Sequence, residues 1–197
     1  MNTDSGESIK NQIFKKEIDS HLEAIKSLID LKKEIFILED KIAETFKNKN
    51  KILICGNGGS AADAQHLSSE LVGRYEKERH GFPAFSLSTD VSALTALGND
   101  YGFESIFSRQ IQGIGKENDL LIGISTSGNS ANIIAAIKQA KFKGLKTISF
   151  TGKTGGKMSS LADVNIFVPS ENTQRIQESH IMIGQILCGL LEKNVFS

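Results

Sequence analysis

The sequence predicts an α/β fold in which a mostly parallel sheet, with five candidate strands, is flanked by helices and preceded by a helical extension. Three observations predict it. After Lys51, short apolar runs alternate with helical stretches. The runs are apolar throughout, as strands covered on both faces are. The segment Lys51–Arg74, KILICGNGGSAADAQHLSSELVGR, compresses a buried strand, a glycine turn and a helix into one stretch around which the rest is organised.

In chain order, Met1 to about Glu7 is polar and reads as loose. Apolar residues then recur at helical spacing through Ile9, Ile13, Phe14, Ile18, Leu22, Ile25 and Leu28, and again through Ile35, Leu38, Ile42 and Phe46, which predicts two amphipathic helices over 1–50. Their apolar stripe must pack on the α/β region, 51–197, or on another subunit. His21, alone among charges, reads as a surface residue. Strands are predicted at Ile52–Cys55, Ala84–Leu87, Leu120–Ser125, Thr147–Phe150 and Val164–Val168. Helices are predicted at Ser60 to about Glu76, Asp90–Leu97, Asn129–Lys143, a short piece near Met158, and Arg175–Lys193.

In a sheet of this kind ligands bind beyond the carboxyl ends of the strands. Two turns lie at such ends. Gly56-Asn57-Gly58-Gly59 leads into a helix for which Ser60 suits the N-cap, and a helix start of this kind favours an anion. Ser125-Thr126-Ser127-Gly128-Asn129-Ser130 places four hydroxyls at a second helix start, enough to hold a phosphate monoester without a lysine. An ordinary capped turn would use one hydroxyl and leave the rest to solvent. The serine-rich turn is the better phosphate seat.

Gly56 to Ala61 also fits a loose Gly-x-Gly-x-x-Ala dinucleotide pattern, a weak signal alone, whose acidic partners would be Glu76 and Glu78. Thr151 to Met158 fails as a P-loop, with Thr151 where the first glycine is required and Met158 where a hydroxyl is required. His66 and Glu70 are four residues apart and share a helix face, as a proton-handling pair, a metal-binding pair or a plain surface pair. On the last helix Gln177 and Gln185 stand about 80° apart around the axis, so both can edge one cavity, whereas His180 is about 140° from Gln185 and points elsewhere.

Lysine plus arginine and aspartate plus glutamate number 23 each, so there is no bulk field to recruit nucleic acid or an anionic membrane. The two cysteines, Cys55 and Cys188, form neither a disulfide framework nor a zinc spacing and read as reduced core residues. With no signal-like start and no apolar run long enough to span a bilayer, the expectation is a soluble, cytoplasmic protein.

Taken together, GNGGSAADAQH with Glu70 and Arg74, Asn99-Asp100-Tyr101-Gly102, ISTSGNSANI and RIQESH closely resemble the phosphoheptose isomerases, the sedoheptulose 7-phosphate isomerases of the sugar isomerase (SIS) domain family. The resemblance covers about Lys51 to Lys193, and the paired N-terminal helices fit it too. It implies an SIS-type fold, flavodoxin-like or Rossmann-like, assembled as a homotetramer through those helices with active sites at subunit contacts. It implies that Ser125, Thr126, Ser127 and Ser130 hold the phosphate, and that Asn57, Gly58, Gly59, Ser60, Asn99, Asp100 and Gln177 surround the sugar. Glu70 would be the general base that moves a proton between C1 and C2 through an enediol(ate). Zinc in the family is held by a His and a Glu on the first helix of the α/β region, here His66 and Glu70, and by a Gln and a His on the last helix.

That last histidine is absent. The family pattern Ile-Gln-Glu-x-His-x-x-x-x-His reads here Ile176-Gln177-Glu178-Ser179-His180-Ile181-Met182-Ile183-Gly184-Gln185. The metal set implied is therefore His66, Glu70, Gln177 and Gln185. A carboxamide neither titrates near neutrality nor binds zinc as imidazole does, so weaker zinc and reduced turnover are expected. The activity implied is conversion of sedoheptulose 7-phosphate to glycero-manno-heptose 7-phosphate for surface polysaccharide synthesis. The alternatives are a scaffold, since some family members partner a bacterial replication initiator, or a sugar-phosphate sensor.

Overall fold

The structure, a computed structural model, describes residues 3–194; Met1, Asn2 and Val195 to Ser197 lie outside the described residues. Helix α1 spans Thr3–Ser27 and, after a 3-10 turn at Leu28–Leu31, α2 spans Lys32–Lys47. The helix thus begins well before Ile9, and the described part of the polar start is helical rather than loose. The α/β region follows as β1 Ile52–Gly56, α3 Gly59–Val72, β2 Ala84–Ser86, α4 Val91–Tyr101, α5 Ile106–Ile114, β3 Leu120–Ile124, α6 Ala131–Phe142, β4 Lys146–Gly152, β5 Val164–Val168 and α7 Thr173–Asn194.

All five strands fall where the apolar runs placed them and pair in parallel in the order β2-β1-β3-β4-β5. Because strands point successive side chains to opposite faces, each apolar run feeds two cores. Ile52, Ile54, Leu120, Ile122, Ile148 and Phe150 pack under α2, α3 and α7, while Leu53, Cys55 and Leu121 pack under α5 and α6. Each such fully buried side chain contributes roughly 1.5–3 kcal/mol of hydrophobic stabilisation. Both cysteines are free and buried, Cys55 under one face and Cys188 on α7 under the other.

Two local expectations fail. α3 stops at Val72, short of Glu76, because the following backbone turns away to meet Glu192 on α7, which accepts from the N–H groups of Tyr75, Glu76 and Lys77. Helix α5 was not foreseen at all. Its buried Ile106, Phe107 and Ile111 are at helical spacing, but the stretch is nine residues long and bounded by Gly102 and Gly115.

The chain leaves β1 through α3 to the edge strand β2, then returns through α4 and α5 to β3 on the other side of β1. The crossover direction therefore reverses between β1 and β3, which opens a crevice at their carboxyl ends. Parallel register pairs Gly56 with Ile124, so the two turns noted in the sequence emerge side by side at this crevice.

Candidate active site

On the β3 side, Ser125, Ser127 and Ser130 bring their hydroxyls together. Ser125 Oγ is 2.9 Å from Ser130 Oγ and 3.4 Å from Ser127 Oγ. Ser130 is the N-cap of α6 yet its side chain makes no capping bond, so it is turned to the cluster rather than to its own helix. The end of β4 and the segment after it fix the turn from outside: Gly152 N–H donates to Thr126 O, Met158 N–H to Gly128 O and Lys157 N–H to Asn129 Oδ1. Thr126 and Ser127 line a cavity of about 360 Å³ whose other walls include Asn129, Lys153 and Thr173. Hydroxyls at a helix start beside a polar cavity suit an anion.

On the β1 side the helix starts one residue earlier than expected. Gly58, at φ +55°, is the N-cap, and that left-handed conformation is why glycine stands there. Ser60 is inside the helix and 3% exposed, so it neither caps α3 nor opens to the crevice. Gly58 and Gly59 are exposed, and the carboxamide of Gln177 lies against the α-carbon of Gly59. Asn57 pairs with Asn132 of α6 through two reciprocal amide bonds, 2.9 and 2.8 Å long.

Further along α3, His66 Nε2 is 2.9 Å from Glu70 Oε1, with His66 about half exposed and Glu70 nearly covered. The other oxygen, Glu70 Oε2, is buried without a hydrogen-bond partner. Helices α3 and α7 run in the same direction, with Gln177 at Gly59, Gly184 against Leu67 and Cys188 at Glu70. That ladder brings the half-buried Gln185 to the level of His66 and Glu70. Burial pushes the Cys188 thiol up to about 12, and the Glu70 carboxylate beside it adds to the rise. Asp63, one turn before His66, is raised by burial to about 6 against the opposing pull of His66, and its Oδ2 is buried without a partner.

His66 and Glu70 suit a zinc ion as far as they go. Their donor atoms stand close to the edge of a zinc tetrahedron, about 3.3 Å from ordinary bond lengths, and Glu70 has an oxygen to spare. The two members of the implied set on α7 are carboxamides, of which Gln177 lies at Gly59, and among the described residues no cluster joins three or more His, Cys, Asp or Glu. The set fits a weakly held metal.

The other singled-out residues are placed as follows. Asn99 and Asp100 lie exposed on α4, where Asn99 Nδ2 donates to Asp100 Oδ1, and no hydrogen bond ties them to either turn within the described chain. His180 is fully buried, donates from Nε2 to Thr151 O at 3.3 Å and stands against the Phe150 ring, away from the crevice as its helical angle required. His21, read as a surface residue, is only partly exposed and its Nδ1 meets Glu178 Oε2 at 2.8 Å. Asn132, Asp63, Arg79 and Glu192 carry structure that the sequence reading passed over. Asn132 and Asp63 lie inside motifs it quoted, and Arg79 and Glu192 have no local pattern that would pair them.

A model of the SIS domain family matches residues 14–152. A phosphoheptose isomerase from Aliarcobacter butzleri is 53% identical over 181 residues, which is 91% of this chain and 96% of that protein. The solved phosphoheptose isomerase from Neisseria gonorrhoeae superposes with a TM-score of 0.84 at 40% identity, over 95% of this chain and 98% of that one. That of Francisella tularensis superposes at 0.86 with 36% identity, over 96% and 99%.

Proposed function

The chain belongs to the SIS domain family, and from that membership we propose that it is an aldose–ketose isomerase converting D-sedoheptulose 7-phosphate to D-glycero-D-manno-heptose 7-phosphate. The observation that carries this reading is the end-to-end relationship to phosphoheptose isomerases, whose fold the chain shares. The crevice supports it, with a hydroxyl cluster on the β3 side, and the helix that leaves its β1 side carries the His66–Glu70 pair.

In this reading Ser125, Thr126, Ser127 and Ser130 seat the phosphate, and the carbon chain runs toward α3 past Asn57, Gly58, Gly59 and Gln177. Ser60, covered inside α3, acts through the shape of the turn. Glu70 removes a proton from C1 of the ketose to give an enediolate with its charge on O2, the C1 hydroxyl proton passes to O2, and Glu70 returns its proton at C2, which leaves an aldehyde at C1 and a hydroxyl at C2. Gln177 and Gln185 donate amide hydrogen bonds to the substrate oxygens, which polarises them without supplying a titrating proton. With a carboxamide at 185, turnover is lower than an imidazole would give there by some part of the roughly hundredfold to ten-thousandfold worth of general acid assistance. A zinc ion, when bound at His66, Glu70, Gln177 and Gln185, would stabilise charge on those same oxygens.

The assembly is a homotetramer. Supporting it, Ile9, Ile13, Phe14, Ile18 and Leu22 form an exposed stripe along α1, and Ile25, Ile29, Phe36, Met182 and Ile186 line an apolar groove beside it. Contact between subunits would bring Asn99 and Asp100 of exposed α4 to a sugar site. The enzyme works in the cytoplasm and supplies heptose for surface polysaccharide; no helix among the described residues is long and apolar enough to cross a membrane.

The test supplies sedoheptulose 7-phosphate and follows the aldose by NMR, with size-exclusion chromatography for the assembly. Formation of the heptose phosphate is expected, faster in Gln185→His. Absence of product in both proteins, together with capture of a replication initiator, would replace the enzyme by a scaffold.

A further inference from the structure

We propose that Asn132 is a positioning residue for this isomerase: its carboxamide bridge to Asn57 holds the phosphate seat at a fixed distance from the reacting carbons and so sets the length of sugar phosphate that is turned over. The role rests on the isomerase reading.

The bridge spans the crevice itself. Asn57 follows β1 and Asn132 sits in the first turn of α6 beyond β3, on the two sides of the place where crossover direction reverses. Asn57 Nδ2 donates to Asn132 Oδ1 and Asn132 Nδ2 donates back to Asn57 Oδ1. Asn132 Oδ1 also accepts from Ile133 N–H at 3.0 Å, which fixes which way that amide faces and ties it to the helix carrying Ser130. On the other side, Asn57 O accepts from Ser60 N–H, so its turn is tied to the helix that carries His66 and Glu70.

The two members differ in exposure, and that assigns their roles. Asn132 is 2% exposed and so closed off from the crevice, whereas Asn57 is partly open and keeps a second amide hydrogen for the sugar. Neutral hydrogen bonds of this kind add little to stability, because the unfolded chain makes the same bonds to water. Loss of the bridge would let the two turns move relative to one another, and a displacement of about 1 Å at a reacting centre can cost around a hundredfold in rate. Its cost should therefore fall on alignment more than on folding.

The experiment compares the wild type with Asn132→Ala and Asn132→Asp. Asp keeps an acceptor for Asn57 Nδ2 and for Ile133 N–H but cannot donate back, and gives a second variant should Ala fail to fold. For each protein, calorimetry gives Kd for inorganic phosphate and for five-, six- and seven-carbon ketose phosphates, and kinetics gives kcat and KM on the seven-carbon ketose phosphate. The expected result is inorganic phosphate affinity within about threefold of wild type, kcat for the seven-carbon substrate reduced by about tenfold to a hundredfold, and a narrower preference for seven carbons over six, with Asp between Ala and wild type. An unchanged chain-length preference, or a loss that falls equally on inorganic phosphate and every sugar phosphate, overturns the spacer role. If wild type binds no sugar phosphate at all, the isomerase reading fails and takes this role with it; wild-type discrimination that survives in both variants sinks the spacer alone.

Discussion

Arg79 Nε meets Glu192 Oε1 at 3.0 Å with both side chains 2% exposed, which ties the loop after α3 to the end of α7. Arg79 also donates to the backbone carbonyls of Glu70 and Leu71, so the pair braces the end of α3 that carries Glu70. Burial alone would raise the Glu192 carboxyl, but the N–H groups of Lys77, Tyr75 and Glu76 and the Arg79 guanidinium outweigh it and hold it down at about 2. Its folded value lies below its unfolded 4.5, so this stabilisation is complete above about pH 4.5 and is lost as pH falls toward 2. Glu192→Gln leaves the buried Arg79 charge with only neutral carbonyl partners and should destabilise by about 3–5 kcal/mol in urea unfolding, with a flatter acid limb than wild type.

His180 acts in a higher window. Burial lowers its pKa to about 4 against a smaller opposing effect of its bond to Thr151, so the folded state resists protonation that the unfolded chain accepts at 6.5. Stability should be complete above about pH 6.5 and decline as pH drops from there toward 4. His180→Leu should remove that slope, read as urea midpoints across the window; a variant that keeps the wild-type slope would contradict it.

Gln185→His supplies an imidazole at the position proposed to complete the site of the close His66 and Glu70 donors. The variant should retain more zinc after dialysis by elemental analysis and turn over sedoheptulose 7-phosphate at least tenfold faster, within the range of general acid assistance. Equal zinc in the two proteins would contradict the weak-site reading.

Glu70→Gln keeps the shape of the side chain and removes the carboxylate proposed as the base. Turnover should fall by at least about a hundredfold with little change in thermal midpoint and sugar phosphate still bound. Turnover within a few-fold of wild type would remove Glu70 from the reaction.

Gly59→Ala places a methyl group where the Gln177 carboxamide rests. The obstacle is the far end of a flexible side chain, so the fold should hold while Gln177 swings away. The expected outcome is a near-native thermal midpoint with kcat reduced by about tenfold or more. Native kinetics would place Gln177 outside the reaction.

The sequence by itself determined the sheet and its ligand end. Five mainly apolar runs separated by helices allow little but a covered parallel sheet, and glycine and serine turns after the first and third runs mark where it opens. It also placed His180 away from Gln185, since a helix fixes that angle wherever it packs. The tertiary structure alone decided what depends on partners distant in the chain. Nothing local announces that Glu192 gathers the N–H groups of residues 75–77 and so ends α3 at Val72. Nor does the sequence show that Asn57 is spent largely on Asn132, or that Ser60 turns inward while Gly58 caps the helix, because register between β1 and β3 and the α3–α7 packing set those contacts. The segment Lys51–Arg74 keeps its central place. Its strand, turn and helix are local physics, but the neighbours that make it a site come from α6 and α7.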